Sequence, residues 1–343
     1  MIRAFVLLAA CLLSAQGPPR ALVFERRAEP REKALTLLVP RGWSLEGGAF
    51  RILDERHGGA LNMTECKFDL AAKSDPAGTV MIRWLPEMLC VDGSRAFGNR
   101  EGAVFNNALV RNKRDAGRFL VEVAVPYAHP RARNLVVRDR RNLPALAAAY
   151  RQAVPRELMT VTDMGYQAAL VTVAYEEDGR RYLERLLTVI EDYGRAGGGL
   201  WKNRMTLFIR APEEAFAAWE PVLAVIQGSG DWNPRWIEGE LRGQGQRQRI
   251  LDRTQQDLQR LDREIAEGRR RTQESIQRDM YLTLTTQNDY RNPFTGRIER
   301  DTAAWKRRWV NASGNLIYTD DTSYDPNRDP ALKVQGYQLS QGR

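Results

Sequence analysis

Histidine, cysteine and lysine are scarce in this chain of 343 residues, which has two His, three Cys and seven Lys against 45 Arg. The sequence contains no HExxH, CxxC, P-loop or GxSxG motif, so the common short signatures of metal, redox, nucleotide and acyl-transfer sites are missing. Both histidines, His57 and His129, stand in polar surroundings, and we predict that each is a surface side chain rather than a catalytic base. The residues favour a protein that is not an enzyme and has no cofactor.

Catalysis by two carboxylates leaves no such signature, because two acids can converge from any part of a chain. A hydrolase acting on an envelope polymer through carboxylates is therefore the alternative to a binding protein. Glu176, Glu177 and Asp178 form a run of acids, but Gly179 follows them and predicts the tip of a hairpin.

The first twenty residues have the pattern of an export signal. A basic start, Met1-Ile2-Arg3, precedes the apolar run from Ala4 to Leu13, and small residues follow it. This run is about half the length that a bilayer-spanning helix needs. We predict that residues 1–20 are a signal peptide, that the product is secreted or periplasmic, and that the mature chain has no transmembrane segment.

Two sequences could direct the processing of this signal. Ala15-Gln16-Gly17 offers small residues to a signal peptidase and predicts a soluble product. Leu8-Ala9-Ala10-Cys11 resembles a lipobox, and a lipid on Cys11 would instead hold the protein on an outer surface as a lipoprotein. Both routes remain open.

Removal of the signal leaves two cysteines, Cys66 and Cys90. In an oxidising compartment a pair of cysteines predicts a disulfide, and these two flank a predicted hairpin. Such a bridge, closing a loop of about 25 residues, would stabilise the fold by about 3 kcal/mol. The alternative is two buried free thiols.

Positive charge is concentrated in one stretch of a chain whose formal net charge is +9. Between residues 131 and 156 one acid, Asp139, accompanies seven arginines: Arg131, Arg133, Arg138, Arg140, Arg141, Arg151 and Arg156. Such a patch suits an anionic lipid surface or an acidic glycan, and its alternative is a solvated loop. No aromatic residue separates the arginines from 131 to 141, so we do not expect a nucleic-acid partner.

The region from residue 35 to residue 236 predicts one α/β domain. Apolar runs bounded by Gly and Pro predict an antiparallel meander, with an Asp178-Gly179 turn between two long strands. The predicted strands are 34–39, 49–53, 61–70, 79–85, 119–125, 167–175, 181–193 and 201–210, and the predicted helices are 143–154 and 212–227. Residues 92–156 would be an insertion, and residues 21–34 a loose, charged lead-in.

Beyond this domain the composition changes twice. Leu251, Leu258 and Ile265 recur every seven residues among many charges, which predicts a long amphipathic helix over 237–279. That helix would either pack along its own domain or pair in a dimer. Residues 280–343 are rich in Tyr, Trp, Asn and Asp, and predict a small β-rich tail.

Several short phrases give the domain a familiar layout. They are Leu38-Val39-Pro40-Arg41-Gly42-Trp43, the hairpin that ends at Tyr193, the strand from Trp201 to Arg210 with Ala211-Pro212-Glu213-Glu214, and the segment from Val225 to Trp232. In this layout the chain resembles PsbP/Mog1-like proteins. The resemblance implies an α+β fold, an antiparallel sheet with flanking helices, and a role in assembly, docking or binding. We therefore expect an exported, non-enzymatic protein with a protein partner.

The tail supplies the first candidates for a partner surface. Exposed aromatic residues often anchor interfaces, and the candidates are Trp305, Trp309, Tyr318 and Tyr324. The alternative is that they pack a small tail domain.

The tail also contains a run of alternating side-chain oxygens: Asp320, Asp321, Asp325, Asn327 and Asp329. Calcium loops gather their ligands from such a pattern, although the central Gly and the distal Glu are missing here. The sequence thus leaves open a weak calcium site or an acidic turn without metal.

Overall fold

The structure, a computed structural model, describes residues 17–19, 21–95, 98, 100–153, 164–194, 196–251, 287–302, 304–329 and 336–342. These residues form a mixed α+β fold with mostly antiparallel sheets, which confirms the predicted class. Apart from residues 17–19, the predicted signal peptide lies outside the described residues.

The strands of the described residues form three sheets. In chain order they are β1 (Ala21–Ala28), β2 (Leu35–Pro40), β3 (Ser44–Phe50), β4 (Lys67–Lys73), β5 (Met81–Trp84), β6 (Leu89–Val91), β7 (Val104–Phe105), β8 (Ala108–Val110), β9 (Arg133–Asn142), β10 (Gly165–Glu177), β11 (Arg180–Asp192), β12 (Leu200–Pro212), β13 (Asp231–Trp232), β14 (Gln287–Arg291), β15 (Ile298–Thr302), β16 (Arg307–Val310), β17 (Leu316–Thr319), β18 (Gln338–Leu339) and β19 (Gln341–Gly342).

Most of the helices pack against the main sheet, chiefly at β10 and β12. In chain order they are α1 (Ala60–Met63), α2 (Ala116–Phe119), α3 (Val125–Ala128), α4 (Pro144–Gln152), α5 (Phe216–Gly228) and α6 (Pro234–Leu251), and a π-helical turn, Leu120–Ala124, joins α2 to α3. The long helix predicted over 237–279 is described only to Leu251, and its remainder lies outside the described residues. Within the described part of the chain, no helix has the length and apolarity needed to cross a membrane.

The main sheet has ten strands, with the path β3-β4-β5-β12-β11-β10-β9 and the short strands β6, β7 and β8 attached beside β12. Its centre is the predicted hairpin of β10 and β11, which pair from Gly165–Asp192 to Glu177–Arg180. Asp178 and Gly179 both have positive φ, of 51° and 79°, as the favoured two-residue hairpin turn requires.

The second sheet combines strands from both ends of the chain, in the order β13-β2-β1-β17-β16-β18. Two predictions, for residues 21–34 and for the tail, are therefore wrong. Residues 21–28 are a central strand rather than a loose lead-in, and Leu22 and Phe24 are buried. Buried and more exposed residues alternate along the first half of β1, but the charged residues after Phe24 make this pattern hard to recognise in the sequence. The tail is not a separate unit, since β17 pairs with β1 from Ala21–Thr319 to Phe24–Leu316.

Glu29 fixes the corner that follows β1. Its fully buried carboxylate accepts backbone N–H bonds from Arg31, Glu32, Ala34 and Ala49 at 2.8–3.2 Å. Burial alone would raise the pKa of Glu29, but these four donors outweigh burial and lower it. Gly48 lies against the carboxylate, where a Cβ would come within 1.8 Å of Glu29 Oε1.

Two main hydrophobic cores lie on opposite faces of the main sheet. The first core packs the second sheet against α5 and one part of the main sheet, and includes Phe24, Val39, Ile209, Val222 and Tyr318. The second core packs the helical segment 116–128 against the main sheet, around Phe119, Leu120, Trp201 and Phe208.

The predicted insertion, residues 92–156, contributes to the main sheet. Residues 119–125 are helical, so the strand predicted there is wrong: Asp115 caps α2, and Ala116, Leu120 and Ala124 are buried at intervals of four. The Arg-rich segment is also not a loop, because β9 extends the main sheet beyond β10. The predicted helix after it is confirmed as α4.

We expect Phe24→Ala to cost about 3–5 kcal/mol of unfolding free energy, because it empties a site in the first core. Phe24 is 1% exposed and meets Tyr318 edge to face, with ring centroids 5.5 Å apart. Urea unfolding measures the change, and Phe294→Ala, at a ring that is 39% exposed, is the control. A loss below about 1 kcal/mol would contradict the central position of β1.

Candidate functional site

The outer strand β9 carries most of the arginines that the sequence singles out. It pairs with β10 on one side, and no described strand pairs with its other side. Three consecutive apolar side chains on it, Leu135, Val136 and Val137, are 36%, 48% and 41% exposed. An edge strand offers a row of unpaired backbone N–H and C=O groups to another chain. Residues 131–142, with Arg131 leading into β9, are called the β9 edge below.

The arginines of the β9 edge differ in their partners. Arg131 pairs with Asp178 at 2.8 Å, Arg138 with Glu213 at 3.0 Å, and Arg141 with Asp139 at 2.5 Å. Arg133 and Arg140 are exposed and pair with no acid in the described part of the chain. Exposed ion pairs contribute little to stability, so the fold does not require this concentration of arginine.

The pairing between β9 and β10 is irregular. Its register shifts between Thr172 and Val173 and again between Ala174 and Glu176. Such irregularities increase local twist and are common at sheet edges and beside functional sites.

Behind the start of β9 lies a buried ionic cluster that the sequence analysis missed. His129 is 3% exposed, so its prediction as a surface residue is wrong. Its Nε2 lies 2.9 Å from Glu184 Oε1, and its Nδ1 lies 3.5 Å from Glu177 Oε2 and 3.1 Å from Arg210 Nη1. Arg210 also donates to Glu177 at 2.5 Å and stacks on the Tyr182 ring at 4.3 Å. We call this group the His129 cluster.

A neutral His129 donates from Nε2 to Glu184 and accepts from Arg210 at Nδ1, whereas a protonated His129 donates from Nδ1 to Glu177 instead. Burial by itself lowers the pKa of His129, but the carboxylates of Glu184 and Glu177 outweigh burial and raise it. The hydrogen bond from His129 and the nearby Arg210 lower the pKa of Glu177 to about 2. The cluster joins the end of α3 to β10, β11 and β12, and so anchors the chain that enters β9.

The sequence does carry a signal for this cluster. Tyr182, Leu186 and Ile190 alternate along β11 and belong to the second core, and Glu184 has the same phase. A charged residue at a core position needs a buried partner. The alternation along β11 does not identify His129 as that partner.

The four aromatic candidates of the tail do not share one surface. Tyr318 is fully buried and its hydroxyl donates to Asp301, so its prediction as an exposed anchor is wrong. Trp305 packs against the first core and is partly exposed, and Trp309 is also partly exposed. Tyr324 donates to Asp329 at 2.9 Å.

The acidic residues of the tail mainly close turns. Asp320 accepts from Lys306 N, Asp321 from Ser323 N and Asp325 from Asn327 N, at 2.8–3.1 Å. Asn327 accepts from the backbone of Gly336 and Tyr337. Among the described residues, no three or more His, Cys, Asp or Glu side chains are grouped so that they could hold a metal ion. The calcium site stays a prediction.

Cys66 and Cys90 are free thiols, so the predicted disulfide is wrong; Cys90 is buried as the alternative expects, whereas Cys66 is half-buried. Cys66 precedes β4 with its sulfur beside Phe50 O, whereas Cys90 lies in β6 and pairs in register with Trp201 of β12. Burial raises the pKa of each thiol to about 12.

Comparison of the chain with protein-family models and with curated proteins found no match to either.

The two thiols give a direct chemical prediction. Iodoacetamide should modify both Cys66 and Cys90 when the purified protein is unfolded without reductant, and should react slowly with the folded protein because little thiolate is present. Peptide mass mapping reads the result. A cross-linked peptide that contains both residues would contradict the free thiols.

The His129 cluster predicts how stability depends on pH. Because folding raises the pKa of His129, its charge stabilises the fold fully below the ordinary value of about 6.5 and ceases to do so as the pH rises through the folded pKa. The difference in unfolding free energy between wild type and His129→Gln should therefore shrink as pH rises from about 6 to 9. Urea titrations at several pH values measure it, with His57→Gln as the matched control. A difference that stays constant or grows with pH would refute the assignment.

Proposed function

We propose that this chain is an exported binding or assembly protein that receives an extended, acidic segment of a partner protein along the β9 edge. The observation that carries the proposal is an edge strand with three consecutive exposed apolar side chains and four arginines, which a fifth, Arg131, precedes. A monomer that only needed a solvated edge would gain nothing from this apolar run.

Strand addition is the mode of binding that this geometry favours. A partner strand beside β9 would complete the main-chain hydrogen bonds on its open side, and alternate side chains would contact each face. Apolar partner residues would cover Leu135 and Val137 on one face and Val136 on the other. Each favourable cross-strand pair contributes about 0.2–1 kcal/mol, so several pairs are needed for useful affinity.

Charge decides which partner fits. Arg133 and Arg140 have no acidic partner among the described residues, and the partners of Arg131, Arg138 and Arg141 are exposed enough to exchange. Acidic residues in the incoming strand would pair with these cations and increase the association rate. Two copies of the β9 edge would instead oppose arginine to arginine, which disfavours self-pairing.

Two further features support a binding role. The resemblance to PsbP/Mog1-like proteins suggests assembly or docking, and the antiparallel α+β class is compatible with it. The proposal of export rests on residues 1–20 alone, because the free thiols remove the support that a disulfide would have given.

The carboxylate hydrolase receives no comparable support. Its mechanism needs two acids facing each other across a cleft. A small pocket between α5 and the main sheet is lined by one acid, Glu220, which pairs with Arg185. Glu177 and Glu184 both contact His129 instead, and Glu184 is fully buried.

The test uses synthetic peptides of ten residues, the length of β9. A fluorescent peptide that alternates Val and Glu should bind the full chain, and the matched Val–Lys peptide should not. The double variant Arg133→Glu/Arg140→Glu should weaken binding at least about tenfold, since each change replaces attraction by repulsion. Fluorescence anisotropy measures affinity, and hydrogen exchange should show new protection of β9 amides.

Two controls separate strand addition from general attraction between charges. Arg297→Glu changes an exposed arginine in the turn before β15 and should leave binding unchanged. A Val–Glu peptide with N-methylated backbone should lose binding, because it cannot donate to the strand. Equal binding of both charge types, or undiminished binding of the N-methylated peptide, would overturn the proposal. If only an acidic polysaccharide binds, the β9 edge contacts an anionic surface instead.

A further inference from the structure

A second candidate site lies far from the β9 edge in sequence, where residues 338–342 cross between two sheets. β18 pairs with β16 in the second sheet, and β19 pairs with β14 in the third. Ser340, between them, donates from its backbone N–H to Arg308 O at 2.8 Å and accepts from Arg308 Nη1 at 2.9 Å. An open pocket lies beside this crossing, and its lining includes Tyr290, Trp305, Lys306, Arg308, Ser340 and Gln341.

Arg308 supplies directional hydrogen bonding within the pocket lining. Its side chain is 4% exposed, and its Nε donates to Asp301 at 2.7 Å and its Nη2 to Glu299 at 2.5 Å. Its guanidinium lies over the Tyr290 ring, 5.4 Å from the centroid. With Ser340 these contacts use three of the five N–H groups of a guanidinium. The remaining two N–H groups have no acceptor in the described part of the chain, and Arg308 belongs to the lining of the pocket.

The charge of the site is balanced rather than positive. Two carboxylates, Asp301 and Glu299, form ion pairs with Arg308, and the lining residue Lys306 is exposed. Together these four groups carry no net charge, so an anion gains little from entering. The pocket therefore favours a ligand that uses hydrogen bonds without a charge of its own.

The other lining residues narrow the ligand class. Trp305 is partly exposed and offers an aromatic surface, while Gln341 is exposed and both donates and accepts hydrogen bonds. A pyranose ring combines an apolar C–H face, which stacks on an aromatic ring, with hydroxyl groups around its edge. A purely apolar ligand would leave the Arg308 and Gln341 groups without partners.

We propose that this pocket binds a neutral saccharide, with a sugar ring against Trp305 and its hydroxyl groups on Arg308, Ser340 and Gln341. The β9 edge plays no part in this site, so the inference is independent of the proposed function. The crossing segment 338–342 forms one wall, so the last residues of the described chain complete the site.

Calorimetry on the full chain tests the proposal with four defined probes: the trisaccharides of β-1,4-linked glucose, α-1,4-linked glucose, N-acetylglucosamine and galacturonic acid. At least one of the three neutral sugars should bind at millimolar concentration or below, and the galacturonic acid trimer should bind more weakly. Trp305→Ala and Gln341→Ala should each weaken binding about tenfold or more, equivalent to ~1.4 kcal/mol.

Controls distinguish loss of the site from loss of the fold. Trp305 also packs against the first core, so Trp305→Ala is accompanied by Gln341→Ala, which alters an exposed side chain. Phe294→Ala removes an exposed tail ring outside the lining and should leave binding unchanged. No heat with any neutral sugar, stronger binding of the acidic trimer, or full binding by both pocket variants would each overturn the proposal.

Discussion

The pairing of β1 with β17 is the contact on which the rest of the fold depends. It joins residues 21–24 to residues 316–319, so almost the whole described chain lies between two adjacent strands. Through this contact the second sheet closes over α5 and one part of the main sheet, and Phe24 and Tyr318 meet inside the first core. The tail is thereby part of the main fold. The pocket beside residues 338–342 is built partly on the second sheet, which shares the first core with the main sheet.

A second constraint is the number of charges buried along β12. Lys202, Arg204 and Arg210 are all buried on this strand, and acids from neighbouring segments, Glu65, Glu87, Glu191 and Glu177, surround them. A buried ion pair adds little net stability, but loss of one partner is costly because the other charge stays buried. These clusters therefore restrict which strands can lie beside β12, and the His129 cluster does so at the base of the β9 edge.

Local patterns predicted much of the fold. The β10–β11 hairpin, its Asp178-Gly179 turn and α4 follow from alternation, turn residues and helix signals within a short window. The strand predicted at 119–125 misread a local helical pattern, but two other errors share one cause, which is that the deciding contact lies far along the chain. Residues 21–28 appear charged and loose until β17 lies beside them, and His129 appears exposed until Glu184 and Arg210 meet it. The arginines were identified from composition, but only the topology places them on an open edge.

The long separation in sequence between β1 and β17 also governs the order in which the protein can fold. While the ribosome is still making residues before 316, β1 has a neighbour in β2 on one side and no partner on the other. The apolar side chains Leu22 and Phe24 are not fully covered until residues 316–319 have been synthesised, and contacts between such distant residues form slowly. The second sheet is thus a late-folding unit, and a growing chain stays incompletely folded until β17 has been synthesised.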